Sequence, residues 1–526
     1  MRTPPKASVS RRRFLGTAAV TAGTLAAPAW LTRAPFAQTS DRMRPAVPYG
    51  TQVGEVSAGE AVVWAATDRP ARLIVEWATA AAFTGASRVM GQSALPETGH
   101  AAKAVLTGLP AGQEIFYRVS FQDLGDLRTW SAPVAGRFRT APTDARDVSF
   151  VWSGDTAGQG WGISPDWGGM KLYEVMRQTA PDFFVHSGDM IYADNPIAAE
   201  VRLSDGTVWK NLVTEAKGKV AETIDEFRGN YIYNLMDEHV RRFNAEVPQY
   251  VQWDDHEVTN NWFHARILED SRYTVKSCGL LAARAKRAMF DFTPLAGHPH
   301  DAERVYRTVR RGPLLDFFML DMRSERGDNS ENRQATLDDG SRILGRAQAE
   351  WLKRELAASR ATWKVIAADM PLGLVVHHDA AKKWGSEAVA QGDGPALGRE
   401  LEIADILAFI KRGGIKNVMW ITADVHYCAT HRYDPARAQF QDFTPFYEFV
   451  SGPLHAGGFG PNGLDNTFGP EVVFTRNPGG RTNTPPTEGG LYFGHVKIDG
   501  RTRAMTVSHR DLGGATLHRL ELAPAR

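Results

Sequence analysis

Phe183-Phe184-Val185-His186-Ser187-Gly188-Asp189-Met190-Ile191-Tyr192 is the stretch on which the fold turns. An apolar run this short, bounded by a turn signal, reads as a buried strand and not as a helix. It closes on Gly-Asp, which brings the chain sharply out of the sheet and leaves a carboxylate at the strand's carboxyl end. The same pattern recurs on both sides. Val148-Ser149-Phe150-Val151-Trp152 leads into Gly154-Asp155, and Tyr250-Val251-Gln252-Trp253 into Asp254-Asp255-His256. Further on, Leu314 to Leu320 leads into Asp321 and Arg323, Trp363 to Ala368 into Asp369, and Val418 to Ala423 into Asp424-Val425-His426. Helical segments lie between, among them Gly345 to Ser359 and Gly398 to Arg412. Buried strands alternating with helices predict an α/β domain over residues 147–520, a β-sheet domain with flanking helices. Ligands of such domains sit at the carboxyl ends of the strands.

Toward the amino terminus the pattern changes. Ala61 to Trp64, Ala71 to Trp77 and Glu114 to Val119 are strand signals at short spacing, separated by Gly, Pro and Asp turns. They predict a small β-sandwich over residues 45–142. Its order resembles a fibronectin type III-like module, with Ile115 where that module has its tyrosine corner, and Thr140 to Asp144 reads as the linker. Before it, Ser10-Arg11-Arg12-Arg13-Phe14-Leu15-Gly16 and an alanine-rich apolar run read as a twin-arginine signal peptide, residues 1–37. The apolar run is shorter than the ~20 residues of a membrane span. Export in a folded state by the twin-arginine machinery and a periplasmic or secreted location follow as expectations, with no integral membrane segment in the mature chain.

Composition narrows the function classes. Lys plus Arg number 61 against 60 Asp plus Glu, a net charge of +1, in 526 residues that are 43% hydrophobic and 23% charged. These are globular values, and they carry neither the basic excess of a nucleic-acid binder nor the composition of a disordered chain. Cys278 and Cys428, the two cysteines, allow at most one disulfide and cannot build a Cys-rich zinc site. No G-x-S-x-G and no P-loop motif is evident.

The chemistry is carried by the strand-end residues. A lone aspartate there commonly caps a helix or turn. Carboxylates, imidazole and phenol gathered on one rim are instead a donor set for hard or borderline cations. Without a cation they would repel one another. The constellation itself therefore predicts metal.

Gly188-Asp189-Met190-Ile191-Tyr192 is a G-D-x-x-Y motif, Asp254-Asp255-His256-Glu257 a D-D-H-E motif and Asp424-Val425-His426 a D-x-H motif. In this order, behind a small β domain, they resemble the PhoD family of alkaline phosphatases, which is distantly similar to purple acid phosphatases and calcineurin-like phosphoesterases. The resemblance spans nearly the whole mature chain, including Phe138-Arg139-Thr140-Ala141-Pro142 and Phe449 to His455. It implies a metal-dependent phosphoric ester hydrolase acting on phosphate-ester small molecules, with Fe3+ and Ca2+ as cofactors. It also implies site roles. Asp189 bridges the two metals, Tyr192 is a phenolate on the ferric ion, and Asp155 and His426 complete that ion's ligands. Asp255, Asp424 and Asp369 fall at ligand positions of the second metal. Carboxylates in place of nitrogen and amide ligands favour a harder cation there. His256 matches the histidine that contacts phosphate and assists the leaving group.

Gly154-Asp155 stands where many members of that family have a cysteine, so oxygen replaces thiolate, and a site holding calcium alone is the alternative. Arg323 is either a clamp on phosphate oxygens or a salt bridge to Asp321 or Glu325. Asn260 and Asn261 fall beside the same cleft, His377-His378 read as solvated, and Trp161, Trp167 and Trp262 as either substrate walls or packed lids. Other functions that fit are a phosphodiesterase or phospholipase D-like enzyme on nucleotides or lipid head groups, and a non-catalytic calcium-dependent binding protein. The latter would carry D-x-D-x-D-G loops.

Overall fold

Two sheets meet face to face and turn their carboxyl ends to one rim. The computed structural model describes residues 43–525; the signal peptide expected at 1–37 lies outside the described residues. In the first sheet the strands Val148–Ser153, Phe183–Ser187 and Gln249–Gln252 run parallel. Tyr492–Ile498, Met505–Asp511 and Thr516–Leu522 extend it by antiparallel pairing. The second sheet has Leu315–Met319, Trp363–Ala367, Val418–Thr422 and Phe446–Val450 parallel at its centre. Arg307–Arg310 flanks one side and Cys428–Tyr433 with Pro470–Arg476 the other, all antiparallel.

Alternation along each strand explains the layering. Phe150 and Trp152 join Phe183, Val185, Phe317, Met319, Val365 and Ile421 in the layer between the sheets. Val151 and Phe184 point the other way, into a core with helices Lys171–Gln178, Ile224–Leu235, Glu238–Glu246 and Cys278–Phe292. Phe318, Ile366 and Trp420 do the same on the second sheet, toward helices Arg346–Ala358 and Glu400–Arg412. Strands buried on both faces are continuous apolar runs because neither face meets water. The seam is aromatic, with Phe317 edge-on to Phe150 and Phe183 at 4.8 and 5.2 Å.

The amino-terminal strands fold as a sandwich that is not a detached module. Thr51–Gly54, Glu60–Ala66 and Ala101–Thr107 form one layer. Ser87–Ala94, Ala71–Ala78, Glu114–Asp123 and Val134–Arg139 form the other, with a shared core that includes Val63, Leu73, Val75 and Tyr117. Gly54 pairs in parallel with Gln249, so the first layer continues the first sheet of the larger part. Tyr117, two residues beyond Ile115, donates its hydroxyl to the Ala245 carbonyl at 3.1 Å and so ties the sandwich to a helix of the larger part. Among the described residues no helix is long and apolar enough to cross a membrane.

Candidate metal centre

Parallel strands bring their carboxyl ends together, and the loops leaving them are held in an unusual backbone state. Asp155, Asp189, Asp424 and His426 have φ of 68°, 53°, 65° and 60°. L-residues rarely adopt this left-handed region, and single residues held there mark functional constraint. The constraint is built from hydrogen bonds. Asp155 N–H donates to the Gly188 carbonyl at 3.2 Å and Thr156 N–H to that of Asp189 at 2.8 Å. Buried Glu257 accepts from the backbone N–H groups of Asp189, Met190 and Asp254 at 3.2, 2.6 and 2.8 Å, locking two strand ends into one frame. Glycine is required at 188, where φ is +101° and an added Cβ would stand 2.4 Å from Asp254 Cβ.

Two ligand groups share a residue. Asp155, Asp189 and His426 form one and Asp189, Asp255 and His256 the other, each with its donor atoms within 4.8 Å of one another. Tyr192, fully buried, has its hydroxyl 2.9 Å from His426 Nε2 and its ring stacked on that of His256 at 4.3 Å. Gly158 leaves room for it, since a Cβ there would come within 2.4 Å of the Tyr192 ring.

The histidines are oriented from behind. His426 Nδ1 donates to the Gly457 carbonyl at 2.6 Å, which turns Nε2 toward Asp155 Oδ1 3.4 Å away. Burial lowers its pKa to about 3, so the imidazole is neutral, the form that ligates metal. His256 Nδ1 lies 2.7 Å from Asp194 Oδ1, and Asp194 Oδ2 accepts from Asn260 N–H at 2.8 Å. Burial alone would lower the His256 pKa, but Asp194, Asp255 and Asp189 outweigh it and hold the ring well above its ordinary value. His256 Nε2 points into the site, 3.8 Å from Asp255 Oδ1.

The donor set fits cations. Both Asp155 carboxylate oxygens are buried and have no hydrogen-bond partner among the described residues, a costly state for a carboxylate unless something positive meets it. Burial, with Asp424 beside Asp155 and with Asp255 and Glu257 beside Asp189, pushes both carboxyls well above the usual range. Tyr192 is likewise held up by burial and by Asp189 and Asp155. Each of these shifts, from burial first and from carboxylate repulsion second, opposes a charge that a cation would stabilise.

The other residues singled out from sequence fall differently. Asp424 stands at the rim outside both groups, its carboxyl pushed up to about 8 by burial and Asp255. Asp369 is also outside them; its Oδ2 accepts from Arg323 Nε at 3.1 Å, while Oδ1 is buried and unpartnered among the described residues. Arg323 is completely buried, and its guanidinium binds Asp254, Asp369 and Glu387 rather than Asp321 or Glu325. A guanidinium so enclosed supports the aspartates from beneath. Arg323→Ala would strand these carboxylates without their cation, and we expect it to cost about 3–5 kcal/mol. The measurement is the urea midpoint; an unchanged midpoint would contradict this role.

Sequence reasoning missed Asp194, Glu387 and the part played by Glu257. Asp194 lies two residues past Tyr192 in the same loop, so its proximity was available as a signal. Glu387 belongs to no motif. Cys278 and Cys428 are buried and free, and no disulfide joins them. Trp161 and Trp262 are core residues, and His377 and His378 are half-buried on a short hairpin.

Comparison with known proteins places this geometry in context. A family model described as PhoD-like phosphatase matches residues 150–509, and one described as PhoD-like phosphatase, N-terminal domain, matches 32–142. Alkaline phosphatase D of Bacillus subtilis (strain 168) is 26% identical over 405 residues, 74% of this chain. The chain spans 63% of that relative's length. The solved structure of PhoD superposes with a TM-score of 0.68 at 19% identity, covering 91% of this chain and 89% of that one. Purple acid phosphatase PPD1 from yellow lupin (Lupinus luteus) seeds gives 0.58 at 14% identity, covering 91% and 74%. At these identities the two structures speak to fold alone.

Proposed function

The chain belongs to the PhoD-like phosphatase family, and on that premise we propose that it hydrolyses phosphoric esters at a pair of cations bridged by Asp189. The observation that carries this is the sharing of Asp189 between two ligand groups, the arrangement a two-metal hydrolase needs. Asp155, Asp189, Tyr192 and His426 would hold one cation. Asp189 and Asp255, with Asp424 at the rim, would hold the other. When bound, the cations supply Lewis acidity and neutralise charge on the phosphoryl group. Tyr192 favours a ferric ion in the first position, because burial and the neighbouring carboxylates oppose ionisation of its phenol and a highly charged cation would offset them. The carboxylate oxygens of the second position favour calcium.

The chain's own residues do the rest. His256, braced at Nδ1 by Asp194, would present a proton at Nε2 to the departing alkoxide. Glu257 holds the Asp189 and Asp254 loops in register. We assign Asp369 and Arg323 to support: Arg323 pairs with Asp254, one residue before Asp255, and with Asp369, and neither belongs to the two ligand groups.

The test is metal analysis of the purified protein joined to assays on a phosphate monoester and a diester. Iron and calcium should both be found, with a visible tint that Tyr192→Phe bleaches. A calcium-selective chelator should abolish hydrolysis and calcium restore it. A colourless, iron-free, active enzyme would overturn the ferric position. Restoration by zinc and not by calcium would overturn the second. Absence of ester hydrolysis by the metal-loaded protein would overturn the function.

A further inference from the structure

One element at the rim is tied to the site and unused by the chemistry above. Asn261, at φ +56°, donates its backbone N–H to Asp255 Oδ2 at 2.5 Å. Its side-chain Nδ2 donates to the carbonyls of His377 and His378 at 3.3 and 2.8 Å. Asn329 braces the same junction, donating to the Asn261 carbonyl at 3.0 Å and to Glu387 Oε2 at 2.7 Å, and lying 2.9 Å from His378 Nδ1. What these residues hold is a hairpin of His377–Asp379 paired with Trp384–Ser386.

The hairpin carries a row of rings outward from Asn261. Phe263 lies 6.1 Å from the His378 ring, and His378 lies 5.8 Å from that of Trp384. Trp384 is 45% exposed and is the only exposed tryptophan among the described residues. Among the other described tryptophans most are buried, as Trp253, Trp262 and Trp420 are, and Trp77, Trp130 and Trp167 are half-buried. On the hairpin turn Lys382 pairs with Asp379 at 2.9 Å, and exposed Lys383 adds a cation next to Trp384. Beside that charge the hairpin offers a ligand aromatic surface, held ready by hydrogen bonds that lead back to Asp255. A ring fixed in advance binds with little ordering cost.

We propose that Trp384, backed by His378 and Phe263, is a leaving-group subsite that stacks a planar ring. It selects phosphate esters whose alcohol carries an aromatic or heteroaromatic group. This rests on the hydrolase reading above and adds the substrate class. Stacking on an aromatic side chain contributes enough to change affinity several-fold.

The experiment compares Trp384→Ala, Trp384→Phe and the parent enzyme, all metal-loaded, on adenosine monophosphate and glycerol phosphate. For Trp384→Ala we expect KM for the adenosine ester to rise about three- to tenfold. Its kcat, and both constants for the glycerol ester, should hold, and Trp384→Phe should restore most of the loss. Equal losses on the two esters, or none, would overturn the subsite. Calorimetric binding of adenosine to the metal-loaded protein separates this proposal from the one beneath it. If adenosine binding depends on Trp384 while neither ester is hydrolysed, the subsite stands and the hydrolase reading falls. Hydrolysis without Trp384-dependent adenosine binding has the opposite meaning.

Discussion

Asp189→Asn is expected to empty both cation positions at once and to lower turnover by more than the ~10²–10³ that loss of a single stabilising donor costs. The substitution is nearly isosteric. Its amide oxygen can still accept the His256 N–H that Asp189 Oδ1 accepts at 3.0 Å. What disappears is the second anionic oxygen, and with it the only residue common to both ligand groups. Asp155, His426 and Tyr192 on one side, and Asp255 and His256 on the other, would each lose their shared anchor. The fold should survive, since a neutral amide replaces a carboxyl whose charge the surroundings oppose through burial and through Asp255, Glu257 and Asp155. Metal content and circular dichroism on the same sample distinguish the outcomes. A folded variant that keeps both metals and near-normal turnover would refute the bridge. A variant that loses one metal and keeps the other would show that Asp189 serves a single cation.

Much of this centre was legible in the chain because the sheet geometry does the gathering. Once Val148–Ser153, Phe183–Ser187, Gln249–Gln252 and Val418–Thr422 are read as parallel strands, Asp155, Asp189, Asp255 and His426 must share a rim. Their motifs state this in one dimension. The supporting residues had no such marker. Asp369 and Arg323 also end strands, and their position fits a carboxylate beside metal and an arginine facing phosphate. What encloses the Arg323 guanidinium is Glu387, 64 residues past it on an irregular stretch, together with Asp254 and Asp369. A charge's partner across that separation is a property of the tertiary fold. The sandwich shows the same limit. Its strands could be placed from turns and alternation, but the parallel pairing of Gly54 with Gln249, which makes it continuous with the larger sheet, rests on a register that neither segment announces.

His256 is where the proposed chemistry is most exposed to test, because its position admits two roles. It is a member of the second ligand group, and it is also an imidazole braced by Asp194, whose carboxylate favours its charged form, with Nε2 toward the site. The roles predict different patterns in His256→Ala. A proton donor matters most when the departing alkoxide is a poor leaving group. Turnover of an alkyl phosphate should then fall about 10²–10⁴-fold, while a nitrophenyl phosphate, whose leaving group needs little protonation, loses far less. Calcium content should be unchanged. If His256 is instead a required ligand, calcium is lost and both esters slow together. Asp194→Asn sharpens the distinction, because it removes a carboxylate that favours the charged ring and leaves a hydrogen-bonding group at Nδ1. The donor role then demands the same selective loss on the alkyl ester, smaller in size, with the metals in place. The asymmetry follows from the geometry: Asp194 meets the His256 ring at Nδ1, 2.7 Å away, and belongs to neither ligand group, so its loss is expected to reach the proton at Nε2 before it reaches the cations.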